Sequence, residues 1–351
     1  MKNSKNIYEL LNQVEFNIDD YEKVELSDIE KKKLKQRFKE GRRKRLDFKK
    51  LGAITAALAL TIGVFSQTSV GKSVYASAQS KITEISYSIG RALGIERNIE
   101  PYENIVNQIV ENKGVEIKLT GVIIDKDELI LSTIVNTNKP VDGFFFDYDI
   151  YINGKKLRDY GMTGSSGAID DSKTIFFTAN SFDVKGIDLY ETLDIKVVLK
   201  NLHYYLVGES DEEIKGKWEF EFTASGNELA TTSYTLPLDY SFDIDNTTYI
   251  LEEFRYNPVN QKIFGKLKNQ STDSYQVDLR GHDNLGNEVI FFLTSVSGEE
   301  LVFKYENIYG DLADEITSIT LTPYAAKLPE ESGRMSNDYK QVGEEFTIIL
   351  K

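Results

Sequence analysis

The chain has no cysteine, which excludes disulfide staples and thiolate metal sites. The absence does not separate inside from outside, because an exterior domain large enough to bury a core needs no disulfides. Histidine is almost missing too, with two in 351 residues. His203 lies in LKNLHYYLVG and His282 in the RGHDN turn. Neither has metal-ligand spacing, so each reads as an ordinary, partly exposed side chain. No G-x-S-x-G, H-E-x-x-H or P-loop occurs, so the chain does not read as an enzyme and calls for no cofactor or metal. Gly164-Ser165-Ser166-Gly167 reads as a loop, and a nucleophilic serine there lacks a base. The acidic stretches 168–172, 208–213 and 243–246 lack EF-hand spacing and read as solvated loops. Proline is scarce at six, and one tryptophan stands against 20 tyrosines and 19 phenylalanines.

What is present is a division. Residues 1–50 carry 15 Lys and Arg against 10 Asp and Glu, and the remaining residues carry 27 against 46, so the net charge is +5 and then −19. The sign changes at a run without charge from Leu51 to Gly71. Its strongly apolar part, LGAITAALALTIGVF, would rise only about 22 Å as a helix, and residues 66–71 extend it to about 31 Å, the thickness of a hydrocarbon core. Twelve Lys or Arg lie between Lys31 and Lys50, opposed by Glu40 and Asp47. A basic wall beside a soluble core helix has no evident purpose, whereas beside a bilayer it orients the span and binds anionic lipid. A signal peptide cleaved after Ala76-Ser77-Ala78 is the rival, but a fifty-residue leader region is far too long for one. The expected layout is a cytoplasmic helical tail at 1–50 and a transmembrane helix at 51–71.

The tail has too little apolar surface to fold alone. Ile7, Leu10, Leu11 and Val14 make one helical stripe, and Ser27 with Glu30 forms a capping box that opens a second helix. Such a tail orders on a partner. The candidate contacts are Ile7, Leu10, Leu11, Phe16, Ile18, Tyr21 and Phe38. The alternative is a half-ordered tail that only anchors.

Beyond the span, residues 72–114 read as a helical stalk. Ile82, Ile85, Ile89 and Leu93 repeat at helical spacing. In EPYENIVNQIVENKG, Pro101 suits a first turn, Gly114 a stop, and Tyr102, Ile105, Val106, Ile109 and Val110 one face. From Val115 the period becomes two, in VEIKLTGVIID, DELILSTIVN, YDIYING and LDIKVVLKNL. Asn153-Gly154 is a hairpin signal. GFFFDYDIY (143–151) is expected to feed the core on one face and an interdomain contact on the other, the alternative being an exposed patch for a partner. The second half resembles the first: 147–157 matches 275–289, 189–202 matches 312–325, and 218–222 matches 344–350, at offsets between 123 and 132. The expectation is a mainly β exterior of two tandem immunoglobulin-like sandwiches, 115–225 and 234–351, made by a diverged duplication.

With NIYELLNQVEFNIDDYEKVELSDIEKKKLKQRFKEGRRKR, the Ala-rich span and SVYASAQSKITEISYSIGRALG in place, the chain resembles a family of single-pass proteins from Gram-positive Firmicutes, especially clostridia. These have an extracellular domain of unknown function and are presumed anti-sigma factors for extracytoplasmic-function sigma factors. The resemblance implies a cell-membrane protein, N-terminus in the cytoplasm and C-terminal region outside. Its tail would bind a sigma factor, its basic residues 31–50 membrane lipid, and its exterior a ligand or protein, with no direct nucleic-acid contact. The Cys/His zinc pattern of the best-known anti-sigma domains is missing, so zinc-dependent binding is not implied. Two other readings remain open: a surface adhesion or envelope-binding protein with a passive anchor, and a secreted binding protein released after Ala78.

Overall fold

The structure, a computed structural model, describes residues 82–83, 85, 87–206, 212–269, 274–329 and 337–350. All of them belong to one compact body, residues 65–351. The fold is mainly β. Among the described residues no helix is long and apolar enough to cross a membrane, and the run 51–71 lies outside them.

A five-residue helix, α1 (Ile89–Leu93), comes first. The first β unit follows: β1 (Asn104–Asn112), β2 (Val115–Ile124), β3 (Glu128–Asn136), β4 (Gly143–Ile152), β5 (Lys155–Lys156), β6 (Met162–Ala168), β7 (Ile175–Asp183), β8 (Leu193–Tyr205) and β9 (Glu212–Ala224). They form two antiparallel sheets, β1-β2-β3-β7-β6 and β5-β4-β8-β9. The sheets pack face to face, with Ile117, Leu119, Leu131 and Phe182 of one sharing a core with Ile150, Val197, Leu199 and Phe220 of the other. Trp218 is fully buried among them, and its indole N–H donates across the sandwich to the Val115 carbonyl at 3.0 Å.

A short helix, α2 (Asn227–Ala230), leads to the second unit: β10 (Tyr234–Ile244), β11 (Thr247–Tyr256), β12 (Gln261–Lys268), β13 (Tyr275–Asp283), β14 (Glu288–Ser297), β15 (Glu300–Tyr305), β16 (Ser318–Lys327), β17 (Lys340–Gln341) and β18 (Phe346–Ile349). The sheet order is β10-β11-β12-β15-β14-β13-β16-β17, with β18 also on β16. Because β14 joins β15 to β13, the layers are continuous, and Leu251, Phe254, Leu279, Phe291, Phe303 and Leu321 share one core.

The units repeat one another in register. Asn104 pairs with Val122 in the first and Leu236 with Phe254 in the second, an offset of 132 residues. Glu116 pairs with Asn136, and Thr248 with Lys268, at the same offset. Bulges interrupt both ladders at matching places, Ile105/Gln108 against Pro237/Tyr240 and Leu119/Gly121 against Leu251/Glu253. The Asn153 side chain accepts from the Asp194 N–H at 2.9 Å, and Asn284 does the same for Ser318 at 3.2 Å.

Two sequence expectations fail here. Residues 104–112 are a strand, and the helical reading of 101–114 shrinks to a 3-10 turn at Glu100–Tyr102. Lys113 and Gly114, with φ of 53° and 79°, form the two-residue turn of the β1–β2 hairpin, so the glycine does not end a helix. Val110 faces the sandwich core while its neighbour Ile109 faces outward onto Ile82 and Ile134. The residues that would line one helical face are thus shared between two strand faces, and pairing with β2 overrides the local period. Among the described residues of 79–94, only Ile89–Leu93 is helical, because Ser88 caps its start and Gly94, at φ 72°, ends it.

Candidate functional site

The described residues before β1 form a strap along the outer face of the first sheet. Ile82 packs on Ile109 and Ile134. The Lys118 ammonium, from β2, donates to the carbonyls of Thr83 and Ile85 at 2.9 Å each. Burial pushes that ammonium below its ordinary pKa. Tyr87 stacks on Phe177 with centroids 4.1 Å apart, and the Ser165 hydroxyl donates to the Ala92 carbonyl at 2.8 Å. Every residue of β3 is buried, with Ile130 and Ile134 covered by the strap on the face away from the core.

The strap then crosses to the second unit. Ile89 and Ile99 join Ile123, Ile130, Leu229 and Val259 in one apolar cluster. The Arg97 guanidinium donates to the Tyr256 hydroxyl at 2.9 Å and to the Asp311 carboxylate at 3.3 Å. The Arg97 amide also donates to Asp311, at 2.7 Å, and Asn307 donates to the Leu93 carbonyl at 2.8 Å.

Beside the strap, two turns meet. Asp125–Glu128 joins β2 to β3, and Asn257–Asn260 joins β11 to β12. The Asn257 amide donates to Asp125 at 2.8 Å, and the Asn260 amide to Glu128 at 2.7 Å and Asp125 at 3.3 Å. The Lys262 ammonium donates to Asp127 at 2.9 Å and Glu128 at 3.0 Å. Arg255 approaches Asp127 at 3.5 Å, Lys304 approaches Glu128 at 4.0 Å, and Ser181 donates to Glu128. Burial raises the Asp125 carboxyl above its ordinary pKa. For Glu128, burial works in the same direction, but Lys262, Lys304 and the hydroxyl of Ser181 outweigh it and hold the carboxyl at about 2. Lys262 is raised: burial opposes its charge, and Glu128 with Asp127 overcomes that. These carboxylates all have amide or cationic partners, which suits them to holding two units together. Among the described residues, no group of His, Cys, Asp and Glu has the arrangement to hold a metal ion.

The residues singled out by sequence lie elsewhere. Ile7, Leu10, Leu11, Phe16, Ile18, Tyr21 and Phe38 are outside the described residues. Gly164–Gly167 belongs to strand β6 and is not a loop, because the stretch pairs with 177–180 of β7. Asp170 caps its own turn, accepting from the backbone of Thr174 and Ile175 at 3.0 and 2.8 Å. In β4, Phe146 and Ile150 feed the core, whereas Phe145 on the other face is exposed and stacks on His203 with centroids 4.5 Å apart, so among the described residues its ring is not held against the second unit. His282 lies in β13. The junction residues Asp125, Glu128, Asn257, Asn260 and Lys262 went unrecognised. Their one signal is charged or amide-rich turns, IIDKDEL and YNPVNQK, at matching places in the repeat.

Two family models match parts of the chain, a domain of unknown function (DUF4179) over residues 44–137 and a family of unknown function (DUF5643) over residues 233–350. The second spans β10 to β18. No curated protein matches. The crystal structure of a conserved domain protein from Bacillus anthracis is similar in fold, at a TM-score of 0.55 and 15% identity, over 73% of this chain and 94% of that one.

Proposed function

We propose that the chain is a membrane-anchored signalling regulator of the anti-sigma type. Residues 51–71 span the bilayer once, and the basic residues 31–50 keep the N-terminus in the cytoplasm against anionic headgroups. Residues 7–38 grip an extracytoplasmic-function sigma factor through Ile7, Leu10, Leu11, Phe16, Ile18, Tyr21 and Phe38, since buried aliphatic and aromatic anchors dominate such interfaces. The exterior β units receive the signal. The strand order of the first unit supports calling it immunoglobulin-like: apart from the added β1, β2-β3-β7-β6 and β5-β4-β8-β9 follow the A-B-E-D and C′-C-F-G pairings.

The observation that carries the reading is the path of the chain after the apolar run. The segment from Ile82 to Ile99 is tied to the first unit by Lys118 and to the second by Asp311 and Asn307. A signal that alters the β units therefore reaches residues close to the span, as a passive tether would not allow.

The test is co-purification of the full-length chain with an extracytoplasmic-function sigma factor of its own cell. Wild type should retain the factor, and Leu10→Ala with Phe16→Ala should weaken capture about tenfold or more, as loss of two anchors predicts. Equal capture by both chains, or unchanged transcription after deletion of residues 1–50, would refute the proposal. Protease added to intact cells should trim the β region; a β region left intact would refute the membrane layout.

A further inference from the structure

The turns that meet at the junction are repeat counterparts. Asp125 and Asn257 are 132 residues apart, as are Glu128 and Asn260, and each acid takes an amide hydrogen bond from its own counterpart. That is how an isologous interface is built, where a contact from i to j is answered by one from j to i. The answering contacts have diverged in chemistry. Asp127 makes ion pairs with Arg255 and Lys262. Its counterpart Val259 shares an apolar cluster with Ile123 and Ile130, the counterparts of Arg255 and Lys262. The junction therefore has an amide–carboxylate centre, one charged flank and one apolar flank. Lys185 and Glu300, both exposed and 3.2 Å apart, add a further ion pair between the units. The apolar flank is sealed by Ile89 and Ile99 of the strap.

We propose that this junction is a hinge that opens at its charged flank and pivots on its apolar flank, and that the strap is the part it moves. The two flanks differ in what water does to them. Separated charges regain hydration, which offsets most of the lost pairing, and salt screens what remains. Separated apolar groups regain nothing, so Ile123, Ile130 and Val259 stay together. The strap cannot remain seated during such a rotation. Lys118, Ser165 and Phe177 hold it to the first unit, and Tyr256, Asn307 and Asp311 hold it to the second. The inference concerns residues 82–350 and stands whether or not the tail binds a sigma factor.

Amide hydrogen exchange on the full-length chain tests it. Asp127→Asn removes the anion from the charged flank at a part-exposed position that tolerates an isosteric amide. The amides of Ile95 and Arg97, bonded to Gly90 and Asp311, should exchange about tenfold faster, the factor that about 1.4 kcal/mol of lost coupling produces. Amides in β4 and β8 should not change. Because the chain has no cysteine, Lys185→Cys with Glu300→Cys can be joined by a short bismaleimide, which should return strap exchange to the wild-type rate in the Asp127→Asn background. Arg255→Gln repeats the perturbation from the other side. Unchanged strap exchange in both flank variants, or fast exchange that persists with the cross-link in place, overturns the hinge.

Discussion

At the scale of single residues, the junction depends on a buried ion cluster whose members need one another. Lys262 and Glu128 are both almost fully buried, and an isolated charge there would be strongly penalised. Lys262→Ala should therefore lower unfolding free energy by about 3–5 kcal/mol at neutral pH, the range for stripping one partner from a buried pair, measured by denaturant titration. The pH dependence has a defined sign. Glu128 is held at about 2, below its ordinary value of 4.5. Its contribution is complete above pH 4.5 and is lost as pH falls towards 2. Asp125 is shifted the other way by burial, so its protonation opposes that loss. The stability advantage of wild type over Glu128→Gln should thus shrink steadily from about pH 5 to pH 2. An advantage independent of pH would mean that Glu128 is not ionised in the folded protein. Residue identities made the tight turns legible, since Asn153-Gly154 adopts φ of 48° and 75° as an Asn-Gly hairpin should. They did not reveal Lys262, because nothing in YNPVNQK distinguishes a lysine bound for burial from one on a surface.

At the scale of elements, β1 shows how a strand can carry a helical spacing of apolar residues, at Ile105, Val106, Ile109 and Val110. Asn104, Gln108 and Asn112, which carry no part of that spacing, fix the strand in place. In the structure these amides donate to the carbonyls of Ser225, Glu221 and Lys217, at 2.9, 2.8 and 2.9 Å. They zip β1, the edge of one sheet, to β9, the edge of the other. Zipped edges no longer offer a free ladder to another chain. In the second unit the counterparts of these three are Leu236, Tyr240 and Ile244, and Tyr240 donates to the Glu344 carbonyl at 2.5 Å. Replacing Asn104, Gln108 and Asn112 together by alanine should cost about 1 kcal/mol for each lost bond. Light scattering should also show concentration-dependent association of the variant. A variant that stays monomeric with an unchanged denaturation midpoint would remove the zipper from the account.

At the scale of the whole molecule, the strap and the junction should make two β units behave as one. Trp218 sits in the first core and is the only tryptophan, so its fluorescence reports the first unit, while circular dichroism in the far ultraviolet reports both. In wild type the two unfolding curves should coincide. In Lys262→Ala they should separate, because the buried ion pairs with Asp127 and Glu128 across the junction are lost. Coincident curves in the variant would place the coupling in the strap and the remaining junction contacts.

The amino-acid sequence by itself determined the strand period from Val115 onward, the hairpin turn at Asn153-Gly154, the similarity of the two halves and the charge reversal at residues 51–71. Each of these is a property of near neighbours or of composition, and alternation along a strand needs no partner to be visible. Only the tertiary structure decided that residues 104–112 are a strand, that the segment from Ile82 to Ile99 lies across both units, and that Asp125 and Glu128 meet Asn257 and Asn260. Those outcomes rest on partners brought together by the packed cores, several of them more than a hundred residues away, and a hydrogen bond over that separation leaves no local period to read.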